Sequence, residues 1–296
     1  MAVACSGGAD STALLLAAHQ RWPGRVQALH VHHGLQAAAD QFQDHVRALC
    51  HRLDMPLLLR EVDARPIPGQ SPEDAARQAR YAALVAMAHE AGVAWVLLGH
   101  HADDQAETLM LALSRGAGLP GLAAMGEVFE RDGVAFGRPL LSVGASELRE
   151  GLRTGGHTWV EDPSNADPRF TRNRIRAELL PAWSRCFPGF QTQLARSARH
   201  AAEGQILLDE LADMDLSHTG EPPAIAALQA LSLPRQANAL RRWLRRCADV
   251  APSTAQLDEL LAQIADCRTR GHRIELKVAN GVLSRLGERL HFGPPI

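Results

Sequence analysis

The amino-acid sequence predicts an α/β fold: a parallel twisted sheet flanked by helices, followed by a helical segment and a small α+β C-terminal domain. Three observations predict it. Short apolar runs alternate with helical patterns up to about Ser114, the spacing of strand–helix crossovers in a sheet covered on both faces. Residues 171–215 then read as helices, with a break at Pro188-Gly189. Short alternating runs separated by turns close the chain over residues 273–292, as in hairpins.

Each element has its own signal. Ala2–Cys5 is an apolar strand, Ser6–Asp10 a turn, and the pattern from Ser11 to about Gln20 a helix. Val26–His32 and Ala38–Leu53 form the next strand and helix, and Leu57–Val62 a third strand. The helix from about Ser71 to Ala91 opens with Pro72 at its first position and Asp74 three residues after Ser71, a good N-terminal signature. Trp95–Leu98 is the fourth strand, and a helix runs from about Asp103 to Ser114. Residues 115–145 are rich in Gly and Pro. A polar break at Ser217–Pro223 precedes helices near Arg235–Cys247 and Thr254–Ala265, then strands at Arg273–Val278, Val282–Leu286 and Arg289–Phe292 with turns at Asn280-Gly281 and Gly287. A chain of 296 residues accommodates two domains, set here at 1–216 and 217–296.

Composition excludes several classes. No apolar run is long enough to span a membrane, and the start MAVACSGGADS lacks the basic and apolar regions of a secretory signal. Five cysteines, none in a CxxC spacing, fit free thiols in a reducing cytoplasm. Lys277 is the only lysine and precedes Val278, so neither a G-x-x-x-x-G-K-[ST] loop nor a kinase V-A-I-K site exists. The net charge of −2 singles out no partner. Its distribution says more: residues 101–166 are acidic and 167–200 basic, and Arg235, Arg241, Arg242, Arg245 and Arg246 cluster without an acid among them. Such clusters read either as phosphate-binding faces or as solvated helix faces.

Two motifs carry chemistry. Ser6-Gly7-Gly8-Ala9-Asp10-Ser11 joins the first strand to the first helix. Its glycines let backbone approach an anion, the helix N-terminus favours negative charge, and the serines add hydroxyls. Asp10 suits a phosphate only through an intervening Mg²⁺. The same string also reads as an ordinary capped turn. After the fourth strand, His100, Asp104 and Glu107 stand at i, i+4 and i+7, one face of a helix at the C-terminal end of the sheet. A histidine with two carboxylates suits Mg²⁺ or proton transfer beside phosphate, and equally an N-cap with first-turn acids. Gly116–Gly121 spells G-x-G-x-x-G but follows a helix and contains Pro120, which excludes a dinucleotide fingerprint.

SGGADS resembles the SGGxDS signature of N-type ATP pyrophosphatases, the PP-loop superfamily. A longer series resembles the tRNA(Ile)-lysidine synthetase family. It comprises SGGADS, His30-Val31-His32-His33-Gly34-Leu35, Ala76–Tyr81, GHHADDQAETLMLALSRGAGLPGL, Arg138-Pro139-Leu140-Leu141, Trp159–Asn165 and Thr171–Arg176. The resemblance covers residues 1 to about 180, and residues from about 220 to 296 resemble that family's first accessory domain. Longer members carry a further C-terminal domain that has no match here.

The resemblance implies an adenine nucleotide alpha-hydrolase-like, Rossmann-like catalytic domain followed by an accessory tRNA-binding domain. It implies an enzyme that uses ATP and Mg²⁺ to adenylate the wobble cytidine of the CAU-anticodon isoleucine tRNA, then ligates free L-lysine to its C2. By the same implication Ser6, Gly7, Gly8, Ala9, Asp10 and Ser11 bind the phosphates, and His30 and His32 lie near the adenosine. Asp10 and Asp104 hold Mg²⁺, and Arg80 stabilises developing charge. His100 and Glu107 position lysine and take its proton. Arg172, Asn173 and Arg176 line the anticodon-loop side. A homodimer is left open. The alternatives are a PP-loop thiolation enzyme, which needs clustered cysteines, and a non-catalytic ATP- or tRNA-binding fragment.

Overall fold

A computed structural model describes residues 1–32, 39–63, 72–269, 272–279 and 281–294. Ser71, Asn280 and the motif residues His33-Gly34-Leu35 lie outside the described residues. The chain forms two compact units, Met1–Ala202 and Glu203–Ile296.

In the first unit the order is β1 (Ala2–Ala4), α1 (Ala9–Arg21), β2 (Gln27–His32), α2 (Ala39–Arg52), β3 (Leu57–Glu61), α3 (Pro72–Glu90), β4 (Trp95–Leu97), α4 (Ala102–Ser114) and α5 (Leu119–Leu122). Then follow β5 (Val128–Arg131), β6 (Val134–Gly137), α6 (Ala145–Thr154), a 3-10 turn (Pro163–Ala166), α7 (Thr171–Arg174), a π-helical turn (Ile175–Leu179) and α8 (Leu180–Cys186). The sheet order is β3-β2-β1-β4-β6-β5. Strand β1 lies parallel between β2 and β4, with Val3 opposite Ala28 and Leu97. The sheet is mostly parallel rather than wholly so. Within the segment read only as Gly- and Pro-rich, β5 and β6 form an antiparallel hairpin, and β6 extends the parallel order against β4.

Strand alternation divides the core into two layers. Val3 and Ala28 face Leu14, Leu15, Val46 and Leu49 of α1 and α2, while Ala2 and Leu29 face Leu84 and Met87 of α3. Both faces are thus covered, and the C-terminal ends of β1, β2 and β4 are the place for a ligand.

Helix α9 (Phe190–Thr219) runs from the first unit into the second, through the polar break expected at Ser217. The expected domain division at 216/217 falls near its C-terminal end. The second unit adds α10 (Ile225–Gln229), α11 (Leu233–Ala248), α12 (Thr254–Asp266) and the antiparallel strands β7 (Glu275–Val278), β8 (Gly281–Leu286) and β9 (Arg289–Gly293). Leu228, Leu240, Trp243, Leu244, Leu257, Leu260, Leu283 and Leu290 form its core.

Candidate active site

The segment between β1 and α1 is a closed loop braced by one hydroxyl. Ser11 Oγ accepts from the backbone N–H of Ser6 (3.1 Å) and Gly7 (3.2 Å) and donates to the Gly8 carbonyl (3.1 Å). Ser6 Oγ lies 3.0 Å from it. Ser11 therefore shapes the loop from beneath. Gly7 has φ +94°, and a Cβ there would lie 3.1 Å from the Phe42 carbonyl oxygen, so only glycine fits. The loop is clamped from outside by the Val160 N–H, which donates to the Gly7 carbonyl at 3.0 Å. Gly8 is the N-cap of α1, leaving the first-turn N–H groups without intrahelical acceptors.

The second motif meets this loop through a residue that sequence reasoning missed. His101, buried at the N-cap of α4, places Nε2 3.4 Å from Asp10 Oδ2 and 3.5 Å from Asp104 Oδ2, with Nδ1 3.7 Å from Asp103 Oδ2. Its backbone N–H donates to Asp104 Oδ2 at 3.1 Å. Burial opposes a charge on His101, but the surrounding carboxylates prevail and raise its pKa. Burial likewise opposes the charge of Asp10, and the His101 hydrogen bond together with the charges of His101, Arg149 and Arg176 holds its carboxyl below the ordinary range. Asp10 Oδ1 is buried without a hydrogen-bond partner. That orphaned carboxylate oxygen beside Asp104 fits Mg²⁺, which takes one or two carboxylates and completes its shell with phosphate and water. Among the described residues no group of three or more His, Cys, Asp or Glu side chains could hold a metal.

The expected face of His100, Asp104 and Glu107 requires correction. Helix α4 starts at Ala102, so His100 precedes it, and only Asp104 and Glu107 share a helical face. Those two carboxylates are held by Arg176 from the π-helical turn. Its Nε donates to Glu107 Oε1, and its Nη2 reaches Glu107 Oε2 and Asp104 Oδ1, both at 3.0 Å. Glu107 is 0% exposed, and burial raises its pKa despite the arginine. Arg172 adds Nη1 3.7 Å from Glu107 Oε2 and an Nη2–H bond to Thr108 Oγ1 at 3.5 Å. Asn173 Nδ2 donates to the Asp167 carbonyl at 2.9 Å. The three residues assigned to the anticodon side thus do not form one free surface: Arg176, although its side chain is 39% exposed, commits its guanidinium to Glu107 and Asp104.

A cavity of about 500 Å³ opens above these groups at the strand ends. It is lined by Ser6, Gly8, Ala9, Asp10, Ser11, His30, His32, Arg80, His100 and Asp104, bringing together most of the residues expected in the site. Gly7 and Glu107 lie outside the lining. His30 is buried, and its ring Nδ1 lies 2.8 Å from the Cys5 carbonyl, which can only accept, so Nδ1 carries the proton. Burial pushes its pKa down. His32 Nε2 lies 3.2 Å from Asp40 Oδ1. Burial also pushes His100 down, to about 4, with Asp104 opposing and Arg138, Arg80 and Arg172 assisting. His100 Nδ1 is buried and unpartnered. Gly99 allows the approach of this segment to α1, since a Cβ there would stand 3.1 Å from the backbone of Asp10 and Ser11. Arg149 of α6 also lines the cavity, unannounced by any motif.

Comparison with known proteins follows the same division. Residues 1–183 match the PP-loop domain model, and residues 224–291 match the TilS substrate binding domain. The chain is 59% identical to the tRNA(Ile)-lysidine synthase of Polaromonas naphthalenivorans, over 99% of this chain and 89% of that one. It is 43% identical to the synthase of Bordetella pertussis, over 94% and 90%. The U34-tRNA thiolase NcsA from Methanococcus maripaludis, with its [4Fe-4S] cluster, shares the fold at a TM-score of 0.59. Its identity is 16%, over 68% of this chain and 72% of that one. Motifs, fold and relatives agree: this chain belongs to the tRNA(Ile)-lysidine synthase family.

Proposed function

We propose that this chain ligates lysine to the wobble cytidine of the CAU-anticodon isoleucine tRNA, giving lysidine, AMP and pyrophosphate. The C2 oxygen of the cytosine attacks the α-phosphorus of ATP, and the α–β bond breaks. The amine of lysine then attacks C2, and AMP leaves with the oxygen. The observation that carries this reading is the meeting of Asp10, from the phosphate loop, with Asp104 of α4 at His101, while Arg176 ties Asp104 to Glu107.

The loop Ser6–Ser11 would receive the β- and γ-phosphates, and His30 and His32 would border the adenosine. Asp10 and Asp104 would hold Mg²⁺, which when bound offsets the charge of the departing pyrophosphate. Arg80 would meet the charge that develops at the adenylated base. Lysine enters as an ammonium ion and must lose a proton before it attacks. Both oxygens of Glu107 are taken by Arg176, so the ammonium would replace that guanidinium at the carboxylate. Glu107, whose pKa burial raises, would take the proton, and neutral His100, with Nδ1 buried and unpartnered, would orient the amine. Arg176, once released, would join Arg172 and Asn173 on the anticodon-loop side, where guanidinium groups suit stacking and phosphate. In the proposed division of labour, residues 1–216 perform the chemistry and 217–296 hold tRNA.

Thiolation is disfavoured by the cysteines. Cys5, the cysteine lining the cavity, is buried, and burial pushes its thiol up to about 12. No helix among the described residues is long and apolar enough to cross a membrane, and tRNA modification implies the cytoplasm. The homodimer is supported by exposed Ile206, Leu207 and Met214 on α9, and sedimentation equilibrium decides it.

The test incubates the protein with ATP, Mg²⁺, radiolabelled lysine and CAU isoleucine tRNA transcripts bearing C or U at the wobble position. Label entering the C transcript alone is the expected result. Pyrophosphate release without label would confine the activity to adenylation. Silence in both, with Asp10→Asn indistinguishable from wild type, would overturn the reading.

A further inference from the structure

We propose that Arg149, on α6, binds the β- and γ-phosphates of ATP and retains the pyrophosphate as it leaves; this rests on the reading that the cavity takes ATP. ATP is a polyanion, and the wall it enters already carries Asp10, Asp104, Glu161 and Asp162. Formal positive charge on that wall comes only from Arg80 and Arg149 among the described residues. His30 and His100 are kept neutral by burial, and the sole lysine, Lys277, belongs to the other unit.

The two arginines are placed for different parts of the nucleotide. Arg80 comes from α3, on the sheet face opposite α1, and lies over the Tyr81 ring at 5.7 Å. Arg149 comes from α6, which packs along α1, the helix whose first turn forms the phosphate loop. It lines the cavity together with Ser6, Gly8, Asp10 and Ser11.

Arg149 is also unspent. Its Nε is buried with no hydrogen-bond partner, and no carboxylate forms an ion pair with it among the described residues. One turn further on, Arg153 is engaged by Glu150 at 3.5 Å and by the Trp159 ring at 5.8 Å. A buried N–H without an acceptor costs free energy that an incoming phosphate oxygen would recover. The planar guanidinium fork matches phosphate geometry.

Calorimetry on the full chain with Mg²⁺ tests this, titrating pyrophosphate, ATP and adenosine into wild type, Arg149→Ala and Arg149→Lys. The alanine variant is expected to weaken pyrophosphate and ATP by ~10-fold or more, the scale of charge-assisted hydrogen bonds. Adenosine affinity stays unchanged, the lysine variant recovers part of the loss, and the KM for ATP rises in tRNA-dependent pyrophosphate release. Unchanged pyrophosphate affinity in Arg149→Ala overturns the proposal. So does an equal loss of adenosine, which would mark a structural role. A wild-type protein that neither binds ATP nor releases pyrophosphate would sink the ATP reading itself, and the proposal with it.

Discussion

His100 and His101 are neighbours in sequence with opposite electrostatic settings. His101 sits among three carboxylates, which raise its pKa, whereas burial near three arginines brings His100 to about 4. An unfolded histidine titrates near 6.5. As pH falls from about 6.5 to about 4, the unfolded chain binds a proton that folded His100 refuses, so stability is lost across that window. Buried His30 and half-buried His45 act in the same direction. Denaturant unfolding at several pH values is expected to show this loss, with a shallower slope in His100→Gln. A slope unaffected by that substitution would contradict the assignment. Sequence alone marked His100 through helical spacing to Asp104 and Glu107. It passed over His101, because an N-cap residue draws no notice until tertiary packing brings Asp10 to it. Arg149 had no signal at all: it belongs to no motif, and it sits among Glu147, Glu150 and Arg153 in a stretch to which the sequence assigned no element.

Among elements, the strands and helices up to α4 were legible because apolar runs and helical patterns alternate cleanly. The β5–β6 hairpin was not read, although Asp132-Gly133, both with positive φ, is a strong turn signal. Its strands are four residues each, and the apolar run Val134–Phe136 is flanked by Gly133 and Gly137-Arg138-Pro139, so the Gly- and Pro-rich character of the segment masks it. The exit of β4 yields a sharper test. Alanine at Gly99 would press on the backbone of Asp10 and Ser11, forcing the start of α1 to move. Gly99→Ala is expected to reduce tRNA-dependent pyrophosphate release at least ~10-fold, in line with the cost of small misplacements at a reacting site. Gly151, inside α6 with open space around its Cα, is the control. Gly151→Ala should raise stability by about 0.5–1 kcal/mol and leave activity intact.

The molecule as a whole uses its arginines in two ways. Of the cluster on α11, Arg235 pairs with buried Asp215, Arg242 with Asp209 and Asp213, and Arg246 with Asp213 and Glu221. Arg241 and Arg245, one turn apart, are exposed and have no such partner among the described residues. The sequence could not sort them, because the acids belong to α9 and the segment after it, well away along the chain. Binding to tRNA is expected to weaken steeply with salt. Arg241→Ala and Arg245→Ala should each lower the slope of log affinity against log salt by about one. Arg242→Ala should lower the Tm and leave that slope nearly unchanged, which filter binding and thermal unfolding together can check.

The pairing of Arg176 with Glu107 has a chemical corollary. A guanidinium remains protonated at any physiological pH and is a poor nucleophile, so the group resting on Glu107 cannot react with an activated base delivered beside it. An amine there could. Arg176→Lys would place a tethered competitor where the free amino acid is needed. Its Nζ, once deprotonated, would attack C2 and expel AMP, leaving protein and tRNA covalently joined. A shifted, protease-sensitive tRNA band on a denaturing gel, dependent on ATP and on the wobble C, is the expected signature. In the proposed lysine site, arginine at this position would pair with Glu107 without setting a second reactive amine there.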